Sequence, residues 1–234
     1  MEEMKEGLAG EENMELPKTD VVREARKHFS SLGLMFFLGA IVIYAVQLVP
    51  AALLSWLRPE WMQNGNLALM AGMLPMYLVG MPVLILLVKR IPAESPERRV
   101  MNAGHFTLSA IICFALVYLT NGLGNIITLL IGILKGGAVQ NQVLEVTSSV
   151  SMWAIMLYMV ICAPIMEEYV FRKLIVDRTV RYGQAAAVLV SGLMFGLFHG
   201  NLNQFIYAFV LGVFLAFLYV KTGNLKITIA LHML

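Results

Sequence analysis

Six apolar runs, at about 32–57, 67–88, 106–134, 151–171, 185–199 and 202–220, with a seventh starting near Leu225, decide what this chain can become. A helix needs roughly 20 residues to cross ~30 Å of hydrocarbon, and most of the runs are of that order. Inside a bilayer every backbone N–H and C=O must find its partner within the protein, and a helix does this within a single segment. Composition points the same way: of 234 residues 59% are hydrophobic and 14% charged, and the mean hydropathy is +0.76, far from the balance of a soluble domain. The expected fold is all-α: a polytopic integral membrane helical bundle of about seven transmembrane helices, the last one truncated by the end of the chain.

The charges divide the chain further. Eight of the 15 acidic residues lie before Ser31, so residues 1–30 read as a polar N-terminal tail with no signal-peptide pattern, in which "EARKHF" (24–29) suits a short interfacial helix. Residues 31–150 are then the N-terminal transmembrane helices and 151–234 a C-terminal helical domain that holds the polar motifs. Basic residues cluster in alternate loops: Arg23, Arg26 and Lys27; Lys89, Arg90, Arg98 and Arg99; Lys173, Arg178 and Arg181; Lys221 and Lys226. The intervening loops hold only Arg58 and Lys135. The positive-inside rule therefore places the N-terminus in the cytoplasm of a multi-pass protein, and the compact chain points to a bacterial cell membrane. No basic patch interleaves with aromatics, so membrane lipid is the expected partner and nucleic acid is not. Cys113 and Cys162 sit in apolar runs and read as structural thiols.

Two runs are irregular. "TNGLGN" (120–125) interrupts the third and suggests a kink, and the fifth runs directly into "HGNLNQ" (199–204). Irregular backbone at membrane depth is tolerated where it is buried in protein or lines a wet cavity.

Ionisable groups inside membrane helices are costly and mark pairing, a water-filled cavity or function. The candidates are Glu167, Glu168, Arg172, His199 and His232. Glu168 and Arg172 stand at i,i+4 with the acid first, the favourable order for an ion pair on one face, while Glu167 points ~100° away. Glu168 therefore has a partner on its own helix and Glu167 does not, which makes Glu167 the candidate for chemistry. A solvated helix end is the plain alternative, against which stands the apolar "LIV" (174–176). If the helix runs on to about Val180, Glu167 and His199 each lie ~20 Å from their helix ends, at one depth; if it stops at Arg172 they do not. Gly192, Gly196 and Gly200 form a small-residue stripe beside Phe195 and His199, suited to close helix packing. His28 and His105 lie in polar segments and are expected at the surface.

Other intramembrane hydrolase patterns are absent: no H-E-x-x-H, no G-x-S-G, and "GLGN" lacks the aspartate of a G-x-G-D site. What the chain does hold is "EEYVFR" (167–172), fitting E-E-x-x-x-R; "FGLFH" (195–199), fitting F-x-x-x-H; and "ALHML" (230–234), the start of an H-x-x-x-N pattern. This ordered trio resembles the CAAX protease and bacteriocin-processing (CPBP, or Abi) family of intramembrane endopeptidases, over about residues 151–234.

The resemblance implies roles. Glu167, assisted by His199, would activate a water; Glu168 with Arg172 would orient Glu167; His232 would help stabilise the oxyanion. The asparagine of the third motif would fall at position 236, past Leu234, and so short a final helix favours a truncated chain. Metal use is open at this level. Glu167, His199 and His232 match the ligand count of a catalytic zinc site, and the same residues can work without metal as base and oxyanion donors.

The expected activity is hydrolysis of a peptide bond in a membrane-associated peptide or lipidated protein: a prenylated CAAX-type tail, or a bacterial peptide or bacteriocin precursor. A non-catalytic self-immunity or membrane regulatory protein of the same fold is the alternative, disfavoured because a pure scaffold has no need of both Glu167 and His199. A transporter using the two as a proton relay would favour an inverted repeat, and none is visible.

Overall fold

A computed structural model describes residues 18–137, 139 and 141–234, so most of the expected polar tail lies outside the described residues. Nine helices and no strand are present among the described residues. They are α1 (Lys18–Leu57), α2 (Pro59–Met62), α3 (Gly65–Val88), α4 (Ala103–Lys135), α5 (Gln142–Ser149), α6 (Met152–Tyr182), α7 (Gln184–Phe198), α8 (Leu202–Thr222) and α9 (Leu225–His232). Short polar side chains start many of them: Asn64, Asn102, Asn141, Ser151, Asn201 and Asn224 each accept a backbone N–H of the helix that follows.

The helical membrane bundle is as expected. Five helices, α1, α3, α4, α6 and α8, are long and apolar enough to cross a membrane. The fifth apolar run becomes α7, at 15 residues only ~22 Å long, and the seventh becomes the eight-residue α9. The outer helices turn wide apolar faces outward, with Phe37, Tyr118, Leu129 and Leu134 all exposed as lipid-facing residues are. By contrast, half of the apolar window of α8 is buried, which makes it the central helix.

Three local expectations change. Residues 24–29 are not a separate interfacial helix but early turns of α1, which begins at Lys18. His28 is buried, not at the surface: its Nε2 donates to the Arg178 carbonyl at 2.7 Å, and its ring packs on Phe29 and Tyr182. His105 is exposed as expected. "TNGLGN" produces no break in α4, which runs on through it with the Thr120 and Thr128 hydroxyls bonded to the carbonyls of Leu116 and Gly124 on their own helix. The glycine there serves an approach between helices: a Cβ on Gly124 would sit 3.1 Å from the Asn203 carbonyl oxygen of α8.

The basic loops meet at one end of the bundle. Arg181 pairs with Glu24 at 2.8 Å, and Arg178 Nε donates to the Val88 carbonyl at 2.8 Å. Asp177, almost fully buried, receives Ser95 Oγ at 2.6 Å, Tyr219 OH at 2.9 Å and Lys173 Nζ at 2.7 Å. The segment joining α3 to α4 is bound on through Glu94 N to the Asp177 carbonyl and Arg99 N to the Thr222 carbonyl. It crosses so near the end of α8 that Gly223, in the left-handed region at φ 56°, has no room for a side chain beside the Pro96 and Glu97 carbonyls.

Helix α6 runs unbroken through Arg172 to Tyr182, widening to π geometry at 155–162 and 169–176 on either side of a regular turn at 163–168. Pro164, which has no N–H to give, lies at the start of that regular turn. In the second wide stretch the Phe171 carbonyl accepts Ser191 Oγ from α7 at 2.8 Å. The glycine stripe of α7 works as predicted at two of its three positions. A Cβ on Gly192 would collide with Val213 of α8, and one on Gly196 would lie 3.0 Å from Phe209 Cβ. From the other side, a Cβ on Gly212 would lie 3.2 Å from the Gly192 Cα. Gly200 instead belongs to the turn between α7 and α8, where its φ of 67° lets the chain reverse.

Because that interface has no spare volume, Gly192→Val is expected to cost about 1–3 kcal/mol in unfolding measured on detergent-solubilised protein. Gly122→Ala, with open space around it, should leave the transition in place.

Candidate functional site

The buried charges of α6 form the base of the site. Glu168 and Arg172 are both fully buried, and Arg172 Nε stands 3.0 Å from Glu168 Oε2. The other carboxylate oxygen meets His232 Nδ1, at the end of α9, at 2.9 Å. The guanidinium is further supported by the ring of Phe195 from α7, whose centroid lies 4.8 Å from Cζ. The same ring meets His199 edge-on at 4.8 Å and His232 at 5.6 Å. Phe195 thus touches the ion pair and both histidines, and it is itself buried.

Glu167 points elsewhere, as its helical phase requires. Its side chain is 18% exposed and faces a cavity of about 390 Å³, together with His199, Gln204, Tyr207 and His232. The cavity walls are mainly methionine and aromatic side chains of α3, α6 and α7, and α5 adds Val143 and Val146. Glu167 and His199 each lie 15 residues from the far end of their helices, ~22 Å along the axis, so the layer shared by the two follows from α6 continuing to Tyr182.

All five sequence-derived candidates are therefore brought into one region, with a different pairing for the acids. Glu167 is not without a partner: His232 Nε2 lies 3.7 Å from its Oε2, so His232 bridges the two glutamates. His199 closes α7, and its Nδ1 lies 2.8 Å from the Phe195 carbonyl. A carbonyl can only accept, so Nδ1 carries the hydrogen, and in the neutral ring Nε2 keeps a lone pair. At His232 the Nδ1 hydrogen goes to the Glu168 carboxylate, and attraction to Glu167 as well requires a second hydrogen on Nε2.

Sequence reasoning missed Asn201, Gln204 and Tyr207. Asn201 caps α8 by accepting Gln204 N at 2.9 Å and donates through Nδ2 to the His199 carbonyl at 3.1 Å and to Gln204 Oε1. Gln204 Nε2 then donates to the Tyr207 hydroxyl at 2.9 Å. The signal was the concentration of amides in "HGNLNQ", and Tyr207 follows one turn after Gln204.

Two imidazoles beside a carboxylate are the residue types that a divalent metal takes as ligands. Among the described residues, however, no three His, Cys, Asp or Glu side chains converge closely enough to hold one. The arrangement as it stands is that of a carboxylate and an imidazole acceptor flanking a cavity, over a buried ion pair.

With this geometry the chain can be set beside known proteins. Residues 149–234 match the family model described as Rce1-like, type II CAAX prenyl endopeptidase. The resemblance to the CPBP family stands over these residues. The chain is also 26% identical over 161 residues to a Bacillus subtilis (strain 168) protein named "Putative membrane peptidase YdiL", an alignment covering 68% of this chain and 65% of that one. No solved structure matches at a significant level.

Removing Arg172 would leave the buried Glu168 charge with the His232 contact but without its ion-pair partner. Arg172→Met is expected to cost about 3–5 kcal/mol in unfolding, and Glu168→Gln with Arg172→Met to restore most of it, as measured by thermal denaturation of the purified protein.

Proposed function

We propose that this chain is an intramembrane endopeptidase that hydrolyses a peptide bond with a water activated by Glu167. The observation that carries this reading is the partition of the two adjacent glutamates. Glu168 is committed to Arg172 and His232, while Glu167 faces the cavity that His199 also lines. The match of residues 149–234 to an endopeptidase family supports it.

A water between Glu167 and His199 would give its hydrogens to the carboxylate and to Nε2, turning an oxygen lone pair toward a carbonyl carbon. As the new C–O bond forms, Glu167 takes a proton and the carbonyl oxygen becomes an oxyanion. As the C–N bond breaks, the same proton passes to the amine that leaves. Glu168, Arg172 and Phe195 act by holding Glu167 and the two histidines in place, and every step proceeds without a metal. The substrate would be a membrane-associated peptide or lipidated protein: the methionine and aromatic walls suit an apolar segment, and a CAAX-type tail is the substrate class in the family's name.

The test is hydrolysis of internally quenched peptides by the full chain in proteoliposomes. One peptide would end in a farnesylated CAAX sequence, one in the same sequence without the lipid, and one would be an unmodified hydrophobic leader peptide. Glu167→Gln and His199→Ala should each lower kcat by 10²-fold or more, about the scale of losing a positioned acid–base group. Equal rates for wild type and both variants would remove the catalytic assignment.

A further inference from the structure

The cavity has a second end, chemically unlike the one that holds Glu167. Helices α3 and α6 run side by side in one direction, tied at three levels. Asn66 Oδ1 accepts Ser151 N at 2.8 Å where both begin, the Tyr77 hydroxyl donates to the Tyr158 carbonyl at 3.4 Å further along, and Arg178 Nε donates to the Val88 carbonyl where α3 ends. Met81 and Glu167 lie 15 and 16 residues beyond the first of these contacts, so they stand at about one level. Leu69, Met73, Met76 and Met81 line the cavity along one face of α3. Leu69 is 12 residues before Met81, so the cavity leads away from Glu167 over ~18 Å of helix.

At the Leu69 end stands α5. Its last turn packs on the first turn of α3 so closely that a Cβ on Gly65 would collide with the Ser149 carbonyl. Val143 and Val146, at i,i+3, share one face of α5, and both line the cavity, while Leu144 and Glu145 on its other side are exposed.

Length and lining together select the occupant. An extended peptide would lay about five residues along that distance, each bringing an N–H and a C=O that need partners. Between the two ends the walls are Met73, Met76 and Met159 with the rings of Tyr77 and Tyr158, and the Tyr77 hydroxyl is already committed. A hydrocarbon chain carries no such groups, and exchanging lipid for methionine and aromatic walls costs it little.

We infer that Leu69, Val143 and Val146 are specificity-determining residues: they form the end wall that limits the length of hydrocarbon chain a substrate can insert while its scissile bond stays at Glu167. This assignment rests on the endopeptidase reading above. Lipid tails are as apolar as the walls, so a chain that fits gains little from each added carbon. A chain too long for the cavity pushes the scissile bond away from Glu167, and a misplacement of ~1 Å can cost about 10²-fold in rate. The signature is therefore a cut-off in chain length rather than a gradual optimum.

The experiment uses full chains in proteoliposomes and one quenched peptide carrying a decyl, tetradecyl, octadecyl or docosyl chain through a thioether. The lipid-free peptide and the hydrophobic leader peptide run alongside, with melting curves in detergent for each variant. The readout is kcat on each chain relative to kcat on the shortest. Wild type should hold this ratio near one up to a limiting chain and lose about 10²-fold beyond it. Val146→Trp should move the limit to a shorter chain, and Val143→Ala with Val146→Ala should move it to a longer one. The double variant carries the test should Val146→Trp melt early. If the limit stays in place in a normally melting variant, or if the rates ignore chain length, while Glu167→Gln is inactive, the end wall falls and the endopeptidase reading survives. Cleavage of the leader peptide alone, with every lipidated peptide left whole, overturns the hydrocarbon occupant in favour of a peptide segment. If wild type cleaves none of the peptides, both readings fall together.

Discussion

Everything near the site depends on the fully buried pair of Glu168 and Arg172. Two charges withdrawn from water cost several kcal/mol each unless geometry and further contacts compensate. Here the compensation comes from three helices: the pair itself lies on α6, the aromatic face of Phe195 comes from α7, and the imidazole of His232 comes from α9. The ion pair therefore specifies more than it stabilises. Its electrostatic demands bring together helices whose other contacts, the Ser191–Phe171 hydrogen bond apart, are mostly apolar and less directional, and the cavity carboxylate one residue earlier takes its position as a result.

The packing of α7 on α8 supplies the second constraint. Gly192, Gly196 and Gly212 bring the two backbones together where hydrocarbon gives no hydrophobic drive for helix association. Close approach holds α7, at 15 residues too short to cross a bilayer alone, against the longer α8. Its end at His199 and the start of α8 at Asn201 are satisfied by side chains of the turn itself, so the irregular backbone there leaves few unmet polar groups.

Much of this was legible in the residues. The apolar runs located the helices because length and hydropathy are nearly sufficient in a bilayer, and the i,i+4 spacing of Glu168 and Arg172 announced their pair. The continuation of α6 past Arg172, on which the common depth of Glu167 and His199 depended, was signalled by "LIV" and is observed. Three things were hidden. The bridging of both glutamates by His232 is a contact between residues 64 apart in the chain, which local spacing does not report. The burial of His28 depends on the Arg178 carbonyl, 150 residues away. The chain from Asn201 to Tyr207 was written in the sequence only as a cluster of amides, whose donor and acceptor order emerges when each partner is known.

The two wide stretches of α6 act as phase adjusters. A π turn is in effect an α-helix holding one residue more than its pitch requires, so the stretch at 169–176 sets the angular offset between Glu167 above it and the Asp177 cluster below. In a uniform α-helix a single residue is worth ~100° of rotation. A regular helix of the same sequence could not direct one carboxylate into the cavity and the other into the loop clamp with both sets of contacts intact. Length along this helix is thus a coded quantity: deleting the extra residue would let the backbone relax to regular helix with both polar centres still in phase, whereas a further insertion would have to turn one of them away from its partners.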